Sequence, residues 1–191
     1  MPVWACYPYM IVTLGGLPGT GTTTILIHLA DILNAKTLSA GEIFRQMATE
    51  QALSLSEFGE LAKKNDTIDK QLDARQQEIA KESGCIKNPN KHIIVEGRLA
   101  GRLVDADLKV WLKAPIEVRC KRTAPRDKQS YEDALRDTKI RETCETSRYM
   151  KYYGIDMSDL DCYDLVIDSS KWGQHEICDL IKAALNTLVK L

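Results

Sequence analysis

Gly16-Leu17-Pro18-Gly19-Thr20-Gly21-Thr22-Thr23-Thr24 is the stretch on which the reading of this chain turns, because of what flanks it. Met10-Ile11-Val12-Thr13-Leu14 comes before it, an apolar run of strand character. Ile25 to Leu33 comes after it and reads as a buried helix. Strand, glycine-rich turn and helix together make the setting in which a Walker A pattern cradles phosphate. The glycines allow a tight backbone turn, so that several N–H groups and the positive helix end converge on one spot. A glycine turn between strand and helix also occurs in α/β proteins that bind no phosphate. Thr22 stands where the Walker lysine belongs, so other basic residues must supply the missing charge, while Thr23 keeps the hydroxyl that assists Mg²⁺.

Working outward, further strand signals alternate with helical stretches: Lys36 to Ser39, His92 to Glu96, Leu108 to Leu112 and Asp164 to Asp168. Their nearly continuous apolar, β-branched character fits strands covered on both faces, hence a parallel sheet flanked by helices. Ligands gather beyond the carboxyl ends of such strands, where Gly16, Ser39 and Glu96 to Arg98 all fall. Glu96 occupies the position of a Walker-B-type carboxylate able to hold Mg²⁺ or its waters; a strand-end acid capping a loop is the plainer alternative.

Two segments stand outside the sheet. Residues 42–82 are polar and helical, with Ser54 and Glu57 forming a capping box and Asn65-Asp66 opening a helix through Ile68, Leu72, Gln76 and Ile79. Asp69, Asp73 and Arg75 then fall on a solvated face; with Gln76 they also make the segment in which contacts to a base would be sought, none of which the sequence assigns. Residues 123–137 are short, charged and interrupted by Pro125, as a surface lid would be. The polar stretch 83–90 reads as a connecting turn.

Composition bounds the function. The chain has 191 residues, enough for one sizeable core, and its 26 Lys+Arg against 27 Asp+Glu leave no bulk positive field. That balance speaks against nucleic acid or an anionic membrane as a partner. Its six cysteines show no metal-ligand spacing with the histidines, which fits buried thiols in a reducing cytoplasm. The basic residues must therefore act locally. Arg45 lies one helical turn past Ala40-Gly41, Arg98 follows Glu96-Gly97, and Arg122 and Arg126 open the lid. Arg141, Glu145 and Arg148 share a helix face at i, i+4 and i+7. An exposed ion-pair stripe is the alternative for that triplet.

Taken together, Gly15 to Thr24, Ser39-Ala40-Gly41-Glu42-Ile43-Phe44-Arg45, Glu96-Gly97-Arg98-Leu99, Asp107 to Pro115 and Tyr163 to Asp168 resemble the archaeal type of cytidylate kinase. The likeness runs from about Met10 to near the C-terminus in unbroken motif order, and threonine in place of the Walker lysine is a familiar feature of that group. The resemblance implies an α/β fold of P-loop NTPase type with a helical insertion that binds the nucleoside monophosphate and a short lid. One domain over 1–191 would divide into a core (about 10–41, 84–121 and 139–191), a monophosphate-binding segment (about 42–83) and a lid (about 122–138). It implies ATP + (d)CMP giving ADP + (d)CDP with Mg²⁺, in a cytoplasmic protein that is a monomer by default.

Carried over by position, Gly16, Leu17, Pro18, Gly19, Thr20, Gly21, Thr22, Thr23 and Thr24 bind the ATP phosphates, with Thr23 and Glu96 serving the metal. Ser39, Gly41, Arg45 and Arg98 belong to the acceptor side, joined by Glu145 and Arg148. Arg141 bridges donor and acceptor phosphates, Arg122 closes on ATP, and these two with Arg98 form the catalytic set. A kinase for UMP or AMP, and an ATP-binding switch without turnover, remain the alternatives. The residues before Met10 precede the usual start of such chains, making Met10 the expected initiator, and the turn at 86–90 is longer than usual.

Overall fold

Neighbouring residues of one strand enter opposite cores. Ile94 packs with Val12, Leu14, Val110 and Leu112, whereas Ile93 and Val95 pack with Leu38, Phe58 and Ile68. This is the two-residue period of a strand buried on both faces. The computed structural model describes residues 9–85 and 92–188.

Within them, chain order runs β1 (Ile11–Gly16), α1 (Thr22–Leu33), β2 (Lys36–Ser39), α2 (Ala40–Glu50), α3 (Leu55–Lys64), α4 (Asp66–Cys85), β3 (Ile93–Glu96), α5 (Ala100–Leu103), β4 (Leu108–Lys113), α6 (Ile116–Arg126), α7 (Tyr131–Tyr153), β5 (Leu165–Asp168) and α8 (Gln174–Leu188). The strands form a five-stranded sheet in the order β2-β3-β1-β4-β5, each pair parallel. Helices α1 and α8 cover one face through Ile25, Leu29, Ile177 and Ile181. Residues of α2, α3 and α4 cover the other. The register sets Ser39 and Leu14 on either side of Glu96, so β2 and β3 end side by side while β1 runs two residues further.

Several sequence expectations are corrected by packing. β1 continues past Leu14 through Gly15 and Gly16, which pair with Trp111 and Leu112. A Cβ on Gly15 would lie 2.7 Å from the Trp111 ring, so a bare backbone is what lets that strand pass. α1 begins at Thr22, three residues before the apolar run. The segment 123–137 is largely helical: α6 carries Pro125 in its last turn, and α7 starts at Tyr131 with the Ser130 hydroxyl accepting from Asp133 N–H at 3.1 Å.

The solvated face assigned to Asp69, Asp73 and Arg75 is also overturned. Asp73 and Gln76 are buried, while Ile79 is exposed. Long side chains of α7 reach across to α4, so polar residues are sealed there; Arg75 alone stays outside, paired with Glu50 at 2.7 Å. The capping box of Ser54 and Glu57 forms as expected. The residues before Tyr9 and most of the turn read at 83–90 lie outside the described residues.

Candidate active site

The glycine-rich turn is shaped by its backbone. Gly19 and Gly21 have φ of 82° and 97°, values that side chains resist. At Gly19 a Cβ would also meet the Arg119 carbonyl oxygen at 2.7 Å, so the loop lies directly against α6. Thr20 is buried and its hydroxyl donates to Leu17 O at 2.7 Å, pinning the turn from inside. α1 then starts with no side-chain cap and no acid in its first turn, which leaves its positive end directed at the cleft.

Glu96 ends β3 beneath this loop. The Thr22 hydroxyl donates to its Oε1 at 3.0 Å and the Ser39 hydroxyl to its Oε2 at 2.8 Å. Gln76 of α4 donates to the Glu96 carbonyl at 2.8 Å. Thr22 therefore serves the carboxylate, and Ser39, expected on the acceptor side, orients the same group. Each carboxylate oxygen keeps a lone pair for a further donor. Thr23 is exposed at the mouth of the cleft.

The arginines divide into three settings. Arg122 is clamped: its guanidinium donates to Gly19 O at 3.2 Å, to Ser169 Oγ at 3.1 Å and to Ser169 O at 2.8 Å. Arg98 and Arg141 both engage the Glu145 carboxylate, Arg141 through Nε at 2.9 Å. Burial pulls the Arg98 guanidinium below its ordinary pKa, with Arg141 adding to the effect and Tyr149 opposing it. Arg148 pairs with Asp69 at 2.9 Å. Arg126 pairs with its neighbour Asp127 at 2.7 Å on the surface. Arg45 is exposed, with no partner among the described residues, and its Nη1 lies 3.7 Å from where a Gly41 Cβ would be.

The glycine loop, Glu96, Arg98, Arg122, Arg126 and Arg141 line one cleft of about 610 Å³, together with Ser169, Trp172, Gly173 and Gln174. Hydroxyls and backbone amides on one side and guanidinium groups on the other suit a polyphosphate. Arg45, Glu145 and Arg148 lie outside that lining; Glu145 touches the cleft through its two arginines.

The pattern of the cytidylate kinase-like family matches residues 11–171. The chain belongs to that family. It is 44% identical over 181 residues to a cytidylate kinase of Methanocella arvoryzae, covering 95% of this chain and 99% of that one. It is 45% identical over 180 residues to a cytidylate kinase of Pyrococcus abyssi, covering 94% and 95%. Among solved structures, an uncharacterized protein from Eubacterium ventriosum superposes with a TM-score of 0.68 at 17% identity, over 93% of this chain and 98% of that one. Shikimate kinase from Acinetobacter baumannii, in complex with shikimate, gives 0.54 at 17%, covering 96% of each chain. Those two share the fold. No described helix is long and apolar enough to cross a membrane.

Several members of the site escape sequence reasoning. Arg119 is buried, donates to Ala114 O at 3.0 Å and Pro18 O at 3.2 Å, and pairs with Glu142. It supports the loop from behind. Ser169, just past β5, donates to Thr20 O at 2.7 Å while receiving Arg122. The i+3 spacing of Arg119 and Arg122 on one helix was the available signal; Ser169 offered none.

Proposed function

We propose that this protein transfers the γ-phosphoryl group of ATP to the 5′-phosphate of CMP or dCMP, releasing ADP and the corresponding diphosphate. The observation that carries the reading is the single cleft lined by the glycine loop, Glu96, Arg98, Arg122 and Arg141. A cradle alone would suit any ATP-binding protein. The additional cations facing it suit a second phosphate brought up to the first.

The acceptor is already an anionic oxygen, so the reaction needs no protein nucleophile or general base; it needs alignment and charge stabilisation. Residues 16–24 hold the donor phosphates with backbone N–H groups. Arg122, fixed to the loop carbonyls, supplies cationic charge that the loop lacks for want of a lysine. Arg98 and Arg45 take the acceptor phosphate, with Gly41 allowing close approach, and Arg141 spans the two phosphates. Arg148 and Glu145 stand on the acceptor side. Segments 42–83 and 122–138 close over the two substrates and exclude water.

Mg²⁺ fits the donors present, since it favours one or two protein oxygens together with water and phosphate, and Glu96 and Thr23 offer these. When bound it would screen the β- and γ-phosphate charge. Thr22 and Ser39 hold the Glu96 carboxylate in one orientation for that purpose.

ADP release from Mg-ATP, measured with CMP, dCMP, UMP, AMP and GMP offered in turn, tests the reading. Strong stimulation by CMP and dCMP is expected. ATP binding without stimulation by any monophosphate overturns it in favour of a switch.

A further inference from the structure

Phosphoryl transfer leaves unused a row of polar side chains between α4 and α7. Asp69, Asp73 and Gln76 recur at i, i+4 and i+7 on α4 and so share a face. Arg148, Tyr149 and Tyr153 of α7 meet them. Arg148 pairs with Asp69, the Tyr153 hydroxyl donates to Asp73 Oδ2 at 2.6 Å, and Tyr149 stands beside Arg98. Gln76 marks the inner end of the row through its bond to the Glu96 carbonyl. From there Asp73 lies one turn outward, about 4.5 Å along the helix axis. Arg98, which lines the cleft, adjoins this row through Tyr149.

Asp73 is an expensive residue for its position. It is buried next to a second carboxylate, Asp69, and accepts a hydrogen bond from the Tyr153 phenol. Burial pushes its carboxyl up to about 6; Asp69 adds to the rise and Tyr153 opposes it. Burial likewise raises the Tyr153 hydroxyl. Arg148 stands behind Asp69, and Arg98 behind Tyr149. On the outer side of α4, Arg75 and Glu50 of α2 pair with each other. Packing alone would be served as well by asparagine.

Building on the kinase reading above, we propose that Asp73 and Tyr153 read the base of the acceptor nucleotide, accepting the amino group of a 4-aminopyrimidine and rejecting a 4-oxopyrimidine. Cytosine presents an N4 amino donor beside the N3 acceptor; uracil presents the O4 acceptor beside an N3–H donor. An ionised Asp73 accepts from N4–H while the Tyr153 hydroxyl turns to donate to N3. Uracil sets O4 lone pairs against the carboxylate, an unpaired buried contact. A protonated Asp73 donates to O4 instead, and the rejection is lost. Base choice is therefore tied to the charge on one buried carboxyl.

The test is the ratio of kcat/KM for CMP to that for UMP, with Mg-ATP, from pH 5.5 to 8. The ratio cancels the ionisation common to both 5′-phosphates. For the wild type it should fall as pH drops through about 6. In Asp73→Asn, whose amide donates to O4, it should fall roughly 10–100-fold at pH 8 and lose its pH dependence. Tyr153→Phe, which keeps the ring, should lower CMP use at every pH. A wild-type ratio flat across pH, or equal losses for both nucleotides in Asp73→Asn, overturns the proposal. If Asp73→Asn does not fold, the wild-type profile and Tyr153→Phe decide. Turnover with no monophosphate overturns the kinase reading itself, and this assignment with it.

Discussion

The Thr22 hydroxyl donates to Glu96 Oε1 across 3.0 Å, joining the first residue of α1 to the last residue of β3. A lysine in that place would neutralise the carboxylate; a threonine orients it and leaves its charge. Thr22→Val keeps the shape and removes the donor. It should cost about 1–2 kcal/mol in stability and raise the Mg²⁺ concentration needed for half-maximal rate several-fold. Chemical denaturation and a Mg²⁺ titration measure the two effects. An unchanged Mg²⁺ requirement would remove Thr22 from the metal's surroundings.

Arg141 is largely exposed and pairs with Glu145 one turn away on its own helix. Such a pair contributes only about 0.3–0.5 kcal/mol. Arg141→Ala should therefore leave the unfolding midpoint nearly unchanged while kcat drops ~10³-fold or more, the scale of an arginine acting on transferring phosphoryl. KM for both nucleotides should move little. A normal kcat would take Arg141 out of the mechanism.

The pairing of Arg98 with Glu145 is mostly shielded from water, the two side chains being 15% and 11% exposed. Glu145→Gln leaves a cation without its counter-charge and should destabilise the free protein by on the order of 3 kcal/mol. An acceptor phosphate can then take the vacant place at Arg98. CMP should raise the unfolding temperature of the variant further than that of the wild type, by mass action. Equal shifts would mean that Glu145 and the phosphate do not compete.

Asp73 makes a stability prediction separate from base choice. Burial raises its folded pKa from the ordinary 3.8 to about 6. Its favourable contribution is thus present at low pH and lost as pH rises through about 6. An asparagine never ionises. Asp73→Asn should therefore exceed the wild type in stability by about 3 kcal/mol at pH 8, and the gap should close by pH 4. Denaturant melts at the two pH values check this; a pH-independent difference would contradict it.

Much of the molecule can be read from the chain because short-range chemistry writes it there. The glycine turn, the apolar strands and Glu96 at a strand end each follow from a few adjacent residues, and the parallel sheet follows from their alternation with helices. The Asp69–Asp73 face misleads because its cover comes from α7, eighty residues away for the bond from Tyr153 to Asp73. Arg119 reads as one more surface cation until α6 is laid against the loop. Pro125 suggests a broken segment, yet α6 carries it within its last turn and ends one residue later, at Arg126. Ser39 shows the same limit: its place at the strand edge was legible, but its partner was not.

Ser169 closes a connection of long span. It reaches Thr20, 149 positions earlier, and receives the guanidinium that steadies the loop. The donor cradle thus depends on the arrival of β5, the last strand to leave the ribosome. An emerging chain that has folded only its first half holds the right glycines without the support that shapes them. The loop's shape is in this sense a property of the finished sheet rather than of its own nine residues.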